Sequence, residues 1–408
     1  MIYLDNNATT RVAPEVFEAM QPYLRELYGN PSSAHTFGRR MRLSVERARE
    51  QVADLVGASD PSEIVFTSCG SESDNWAVLS ALEQQADKRH IVTTRVEHEA
   101  VRNLCERLAQ SGYEVTWLEV DEEGRLDLED LRAALRPDTA LVSVMLANNE
   151  TGVLFPVAEI GRIVREASAA LFHVDGVQAV GKVPLNLRSL PVDLFAVSGH
   201  KFYAPKGIGA LYVRKGLNLA PFIIGGGQER GRRAGTEAVP YIVALGRACE
   251  LAKDFDAQAQ IRRLRDRLED EILSTIPNTR LNGTRSRDER LPNTSNISFS
   301  GVEGESILAD LDEAQICVST GSACNSETHE ASPVLRAMNV PYTAAQGSIR
   351  FSLGRYNTED EIEQTLSVLP GIIHRLVEMS PCKITERDSP QRTRRNTEET
   401  GKNHKSEI

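Results

Sequence analysis

The chain has 408 residues, more than one hydrophobic core usually organises, so we expect a large domain and a smaller one. Its 47 Lys and Arg residues and 58 Asp and Glu residues give a formal net charge of -11, which argues against a general affinity for nucleic acid or for anionic membranes. No apolar run reaches about 18 residues and the first residues do not form a secretory leader, so the sequence predicts a cytoplasmic protein whose partners are small molecules or proteins.

The first predicted elements are two strands with a helix between them: Tyr3-Leu4, residues 14–27 and residues 63–67. A turn-rich loop, residues 68–75, follows the second strand and leads into residues with helical spacing. A loop of this kind can hold a phosphate, because the first N–H groups of a helix have no partner within the helix. Gly70 and Ser71 are the candidate phosphate ligands, and simple N-capping of the helix is the alternative interpretation of the loop.

Three further strands are predicted, and polar residues follow each of them: residues 90–94, 140–146 and 170–174. His98 follows the first, Asn149 the second, and Asp175 with Gln178 the third. Strands alternate with helices between residues 60 and 215, which predicts a largely parallel sheet whose carboxyl ends lie on one edge. We therefore expect these four side chains to converge, although each alone is also compatible with a surface, turn or capping role.

An apolar run over residues 194–197 leads directly into Ser198, Gly199, His200 and Lys201. Open α/β sheets bind ligands beyond the carboxyl ends of such buried strands. Desolvation there lowers the pKa of an amine, so Lys201 could condense with a carbonyl compound as a Schiff base. Combined with a carboxylate, amides and phosphate ligands, this lysine meets the needs of pyridoxal phosphate, whereas alone it is better explained as a solvated surface lysine.

The character of the sequence changes near residue 255, where an amphipathic helix rich in charged residues begins. Short strands and helices follow, which predicts a small α+β domain. The predicted divisions are an N-terminal segment that packs with the small domain, a large domain, the small domain and a tail: residues 1–13, 14–254, 255–381 and 382–408. The tail carries 12 charged side chains among 27 residues, and we expect it to be disordered.

The six cysteines are scattered without a Cys-x-x-Cys pair, so neither a disulfide framework nor a zinc site is predicted. Cys324 lies in a run of small and polar residues, 321–332, that cannot shield a thiol, which makes it a candidate reactive nucleophile. Cys317 and His329 are near it in sequence, but further metal ligands are not in evidence, and we predict no bound metal.

Eight motifs occur in order along the chain: Tyr3–Thr10, Thr67–Asn75, Asn148–Gly152, His173–Gln178, Ser198–Lys201, Gln228–Thr236, Ser319–Cys324 and Ser348–Arg355. In these motifs the chain resembles fold-type I, class V pyridoxal-phosphate enzymes, specifically the NifS/IscS-type cysteine desulfurases, and most closely the nitrogenase-associated NifS branch. The resemblance covers residues 1 to about 381. It implies an α/β fold in which helices flank a mostly parallel seven-stranded sheet, with a smaller α+β domain that carries the Cys324 loop.

The resemblance also implies roles for individual residues. The cofactor contacts that it implies are Gly70, Ser71, His98, Asn149, Asp175, Gln178, Ser198, His200, Lys201 and, from the other subunit of a homodimer, Thr236. Among these, Lys201 would form the Schiff base, Asp175 would pair with the ring nitrogen, and His98 would stack on the ring and assist proton transfer. Asn149 and Gln178 would contact the ring hydroxyl, and Ser71, Ser198 and His200 would bind the phosphate. Arg350, together with Asn149, would bind the substrate carboxylate.

The activity implied by the resemblance is removal of sulfur from L-cysteine, which gives L-alanine and a persulfide on Cys324. An iron–sulfur scaffold protein of the NifU/IscU kind would accept the sulfur, in keeping with nitrogenase cluster assembly in nitrogen fixation. Selenocysteine lyase activity, another class V reaction, or a cofactor-free sulfur carrier are the alternatives. No nucleic acid, membrane or metal partner is expected.

Overall fold

The computed structural model describes residues 1–320 and 331–380. In these ranges the strands are β1 (Ile2–Tyr3), β2 (Ile64–Thr67), β3 (His90–Thr94), β4 (Glu114–Leu118), β5 (Thr139–Ser143), β6 (Leu171–Asp175), β7 (Leu194–Ser198), β8 (Gly209–Val213), β9 (Thr279–Leu281), β10 (Thr294–Phe299), β11 (Ile316–Cys317), β12 (Ser319–Thr320) and β13 (Ser348–Ser352). The helices there are α1 (Pro14–Arg25), α2 (Thr36–Val56), α3 (Gly70–Gln84), α4 (Glu99–Gln110), α5 (Leu128–Ala134), α6 (Val157–Ala167), α7 (Val239–Ala252), α8 (Phe255–Thr275), α9 (Gly304–Glu313), α10 (Pro333–Ala337), α11 (Tyr342–Gln346) and α12 (Glu359–Met379). None of these helices combines the length and the apolar character needed to cross a membrane.

Seven strands form the large sheet, in the order β2-β8-β7-β6-β5-β3-β4. Strands β3 to β7 pair in parallel, and β8 runs antiparallel to both of its neighbours. Every residue of β5, β6 and β7 is buried, which explains their nearly continuous apolar sequences. The predicted fold class, with a mostly parallel seven-stranded sheet, is confirmed, and the residues that follow the parallel strands collect at one edge.

Helix α3 begins earlier than the sequence predicted, because Gly70 is already its first residue. The Sγ of Cys69 accepts a hydrogen bond from the N–H of Glu72 at 3.4 Å and so caps the helix directly after β2. The predicted loop over residues 68–75 is therefore wrong for all but its first two residues. Gly70 and Ser71 lie at the N-terminus of this helix, which is where a bound phosphate would be expected.

A four-stranded antiparallel sheet, in the order β12-β13-β10-β9, lies in the C-terminal part of the chain. The N-terminal segment joins this part, since β1 pairs in parallel with β11 and Asp5 forms a bridge with Ser352. Ile2 and Leu4 belong to a hydrophobic cluster whose other buried members lie between residues 261 and 373. The boundaries proposed for the two domains stay a prediction.

Candidate active site

One cavity of about 180 Å³ lies among the residues that follow the parallel strands of the large sheet. Nine of the twelve candidate residues line it: Gly70, Ser71, His98, Asn149, Asp175, Gln178, Ser198, His200 and Lys201. The sequence analysis did not single out the other lining residues, which are Cys69, Asp74, Met145, Ala147 and Val177. The convergence expected from the βαβ pattern is therefore present in the structure.

Lys201 lies in a single 3-10 turn, Gly199–Lys201, directly after β7. Its Nζ donates to the backbone oxygens of Asn7 at 2.7 Å and Ala8 at 2.9 Å. The N-terminal segment is held in this place by the backbone N–H of Thr10, which donates to the oxygen of His200 at 2.9 Å. The amine is thus positioned by a segment almost two hundred residues away in the sequence.

Asp175 and His98 are two titratable groups that face the same cavity. Asp175 ends β6, and its Oδ1 accepts the N–H of Val177 at 2.8 Å. Burial raises the pKa of Asp175, while the nearby His98 and Lys201 oppose that rise. Burial lowers the pKa of His98, and its Nδ1 accepts the N–H of Ala100 at 3.1 Å. A neutral His98 ring therefore carries its proton on Nε2 and can exchange it there.

Two further buried acids, Asp74 and Glu97, lie near Asp175. Burial, together with repulsion from Asp175 and Glu97, raises the pKa of Asp74, and burial raises the pKa of Glu97 to about 8. Oδ1 of Asp74 lies 3.4 Å from Nε2 of His173, whose pKa burial lowers to about 3. Since His98 and Lys201 lower the pKa of Asp175, it is the member of this group best placed to carry a negative charge.

The part of the cavity near the start of α3 is suited to binding an anion. A Cβ at Gly70 would lie 2.7 Å from Cγ2 of Val177, so only glycine allows α3 to begin this close to the cavity. The first N–H groups of this 15-residue helix have no helical partner, and Ser71, Ser198 and His200 line the same space. Burial, helped by repulsion from Lys201, lowers the pKa of His200 to about 4, so its ring is neutral at pH 7.

These residues fit pyridoxal 5′-phosphate. An amine is available for its aldehyde, a buried carboxylate for its ring nitrogen, side-chain amides for its hydroxyl, and a helix N-terminus with two hydroxyl groups for its phosphate. The close packing at Gly70 supports the fit, because a larger residue would fill the anion end.

Arg350 does not line the cavity, but it contacts a residue that does. This arginine lies in β13 and is 3% exposed. Its Nη1 donates to the oxygen of Asn149 at 3.1 Å, and its Nη2 donates to Oδ1 of Asp5 at 2.8 Å. The buried Nε of Arg350 has no hydrogen-bond partner among the described residues, so one donor is still available for an anionic ligand.

Thr236 is exposed and does not line the cavity of its own chain. The segment that precedes it is fixed by a buried ion pair, because Nη1 of Arg49 lies 2.7 Å from Oε2 of Glu229. Phe222, Ile223 and Ile224 in the same segment are exposed, with Ile224 at 88%. A single chain therefore does not bring Thr236 into the site.

Cys324 and the tail, residues 382–408, lie outside the described residues. The described residues on either side of the Cys324 segment lie close to the site. Ser319 pairs with Arg350 in the antiparallel ladder of β12 and β13. After the segment, Oγ of Ser332 donates to Oε2 of Glu150 at 2.5 Å.

The sequence analysis missed two residues in contact with the site, Asn7 and Lys182. The Nδ2 of Asn7 donates to the oxygen of Asn149 at 3.1 Å and to Oγ1 of Thr294 at 2.8 Å. The Nζ of Lys182 donates to Oε1 of Gln178 at 2.9 Å. Asn7 belongs to the motif Tyr3–Thr10, which was the available signal for it. No local pattern marks Lys182, because it lies in a turn and its burial depends on the tertiary fold.

The fold and the cavity that contains Lys201 are those of an α/β enzyme. Comparison with known proteins identifies the family. The family model described as Aminotransferase class-V matches residues 2–365, and the chain belongs to this family. The chain is 57% identical over 389 residues to a cysteine desulfurase of Trichormus azollae, which covers 95% of this chain and 96% of that protein. It is 50% identical over 382 residues to the cysteine desulfurase NifS of Azotobacter vinelandii, covering 93% and 94%.

A solved structure titled NifS-like protein is also similar, with a TM-score of 0.86 at 41% identity. The match covers 92% of this chain and 100% of that chain. The resemblance predicted from the eight motifs is therefore confirmed.

Proposed function

We propose that this protein is a pyridoxal-phosphate-dependent cysteine desulfurase that converts L-cysteine to L-alanine and holds the released sulfur as a persulfide on Cys324. The observation that carries this proposal is the single cavity in which the Lys201 amine, the Asp175 carboxyl group and the His98 ring meet. Relatives at 57% and 50% identity over most of the chain are named cysteine desulfurases, which supports the same reaction.

The cofactor would be held by residues that line the cavity. Lys201 would bind its aldehyde carbon, and Asp175 would pair with its ring nitrogen. Asn149 and Gln178 would contact its hydroxyl, and the N-terminus of α3 would hold its phosphate. When bound, pyridoxal phosphate supplies an electron-poor ring that stabilises the charge left after the substrate loses its Cα proton. The buried neighbours of Asp175 exclude water from this end, so its charge acts at low dielectric.

Residues of this chain would transfer the protons and orient the substrate. The Lys201 amine is the base for the Cα proton, and the neutral His98 ring can donate from Nε2. The free Nε of Arg350 and the neighbouring Asn149 suit the substrate carboxylate, since a guanidinium binds carboxylates with directed hydrogen bonds.

The bonds that form and break in the sulfur step belong to the substrate and to Cys324, while the electron-poor ring would stabilise the electron pair left on carbon. The Cys324 thiolate attacks the sulfur of cysteine, a sulfur–sulfur bond forms, and the carbon–sulfur bond breaks with its electron pair on carbon. That carbon takes up one proton and becomes the methyl group of alanine. Atoms and electrons balance without another oxidant, because carbon is reduced while the two sulfur atoms are oxidised to the persulfide.

Chain connectivity supports the role of Cys324. It follows Thr320 by four residues, and extended chain spans at most about 14 Å over that length. Thr320 pairs with Ile349, next to Arg350 in the same strand. The segment that contains Cys324 therefore follows directly on a strand paired with that of the proposed substrate-binding arginine.

We further propose that the enzyme is a cytoplasmic homodimer in which Thr236 completes the phosphate site of the partner chain. The exposed position of Thr236 and the exposed Phe222, Ile223 and Ile224 support this arrangement, because the apolar side chains would be covered in a dimer. We propose an iron–sulfur scaffold of the NifU/IscU kind as sulfur acceptor, with a role in nitrogen fixation, and the NifS name of one relative supports this choice.

The test is reduction with borohydride of the full-length protein loaded with pyridoxal phosphate, followed by peptide mass spectrometry. The wild type should carry the cofactor covalently on the peptide that contains Lys201, and Lys201→Ala should carry none. Lys206→Ala is the matched control, because Lys206 is exposed and lies in the same loop. A wild type that takes up no cofactor, or Lys201→Ala labelled as strongly as the wild type, would contradict the proposal.

A further inference from the structure

Lys182 is a second amine beside the cavity and has no assigned role in the proposed reaction. It is 7% exposed, and its Nζ donates to Oε1 of Gln178 at 2.9 Å and to Oδ1 of Asn7 at 3.1 Å. Burial, with repulsion from Lys201 and Arg350, lowers its pKa well below the ordinary range. An amine has at least two N–H donors in either protonation state, so both contacts are available to the neutral form.

These contacts determine which end of the Gln178 amide faces Lys182. The oxygen accepts from the amine, and Nε2 at the other end donates to the backbone oxygen of Asn7 at 3.0 Å. Turning the amide over would place its NH2 group against the amine donors and its oxygen against a backbone oxygen. The NH2 group has a second N–H, and Gln178 lines the cavity, so this amide offers a donor to a ligand.

The same amine orients Asn7. Its Oδ1 accepts from Lys182 and from Nδ2 of Asn293 at 3.0 Å, and its Nδ2 donates to the oxygen of Asn149 at 3.1 Å. The backbone oxygen of Asn7 accepts from Nζ of Lys201. Lys182 thus contacts Gln178, which is expected at the ring hydroxyl, and Asn7, which connects Lys201 with Asn149.

We propose that Lys182 is a positioning residue that fixes Gln178 as a hydrogen-bond donor toward the cavity and so selects a cofactor with an acceptor oxygen at that point. The inference rests on the proposed function, in which this oxygen is the ring hydroxyl of pyridoxal phosphate. A purely structural lysine would affect every ligand of the cavity to the same extent. A positioning lysine affects only ligands that carry the acceptor oxygen.

The experiment compares the dissociation constants of pyridoxal phosphate and of 3-deoxypyridoxal phosphate, which lacks the ring hydroxyl, on the cofactor-free full chain. Lys182→Met should weaken binding of pyridoxal phosphate by about fivefold to tenfold, the effect of one lost hydrogen bond, and leave the deoxy compound within about twofold. Gln178→Ala should show the same pattern, and the double variant should bind no worse than Gln178→Ala alone. Lys88→Met is the matched control, because Lys88 donates to the oxygen of Thr139, a residue outside the cavity lining.

Equal weakening of both compounds by Lys182→Met, or additive effects in the double variant, would overturn the inference. If Lys182→Met gives no folded chain, the comparison is made with Lys182→Leu, which likewise has no side-chain donor for Oε1 of Gln178. Weaker binding of pyridoxal phosphate alone then supports the inference. An unchanged ratio of the two dissociation constants overturns it. A wild type that binds neither compound contradicts the proposed function instead.

Discussion

Replacing Asn7 by alanine tests whether the N-terminal segment joins the cavity to the C-terminal sheet. The side chain of Asn7 is 1% exposed and makes four hydrogen bonds, to Asn149, Lys182, Asn293 and Thr294. Two of these partners belong to the cavity region and two belong to the segment around β10. Asn7→Ala removes all four contacts and leaves the backbone oxygen that accepts from Lys201.

The expected loss of stability depends on the hydrogen bonds that the four partners of Asn7 retain in the variant. Lys182 still donates to Gln178, Asn293 to Leu353, and Thr294 to Asn293, while the oxygen of Asn149 still accepts from Arg350. Because each partner keeps another contact, the net value of about 1 kcal/mol per hydrogen bond applies, rather than the larger cost of a buried group with no contact. We expect Asn7→Ala to lower the free energy of unfolding by about 4 kcal/mol.

Urea unfolding of the cofactor-free full chain, followed by circular dichroism, measures this loss. Asn30→Ala is the control, since Asn30 is exposed and accepts one hydrogen bond, from the N–H of Ser32. The control should cost less than about 1 kcal/mol. An Asn7→Ala chain as stable as the control would show that these contacts do not hold the segment in place.

Asp175→Asn should retain pyridoxal phosphate, seen by its absorbance, but form alanine at least about a hundredfold more slowly, because an amide cannot carry the charge that holds the ring nitrogen protonated; wild-type turnover would contradict this role. Inactive Lys201→Ala and Thr236→Ala chains, when mixed, should regain one intact site per mixed dimer, whereas an active monomer in sedimentation would exclude the shared site. Burial raises the pKa of Glu150 from its ordinary 4.5 to about 7. Between these two pH values the folded chain holds a proton that the unfolded chain has released, so the stability of the folded chain falls as the pH rises from 4.5 to about 7. In urea unfolding, Glu150→Gln should therefore gain stability relative to the wild type between pH 5 and pH 8, by up to about 3 kcal/mol, and a difference independent of pH would refute this assignment.

Alternating strands and helices were sufficient to predict a largely parallel sheet and the convergence of polar residues at its edge, whereas the number of seven strands came from the family resemblance. Lys201 and Asp175 could be placed because each directly follows or ends a buried parallel strand, and such strand ends meet at one edge whatever the tertiary detail. The start of α3 was not predicted, because a cysteine thiol acts there as the cap in place of the usual hydroxyl or carboxylate.

Contacts between distant segments could not be predicted from local patterns. Asn7 meets Thr294 across 287 residues, and tertiary contacts such as the pairing of β1 with β11 bring the N-terminal segment to that place. Lys182 was missed for a different reason, since a lysine in a turn is usually solvated and its burial depends on the tertiary fold. The position of Thr236 could be given a role only from the family resemblance, because its proposed contact lies in another chain.

The central claim is that Cys324 carries the sulfur, and its most direct test is the site of the persulfide. Full-length protein loaded with cofactor is exposed briefly to L-cysteine without reductant and analysed by peptide mass spectrometry. Burial raises the pKa of Cys105 to about 12 and raises that of Cys249 as well, so these thiols are poor nucleophiles at neutral pH. We predict one added sulfur atom on the peptide with Cys324, and no alanine or sulfide above background from Cys324→Ser. An added sulfur on Cys317, or wild-type turnover by Cys324→Ser, would contradict the mechanism.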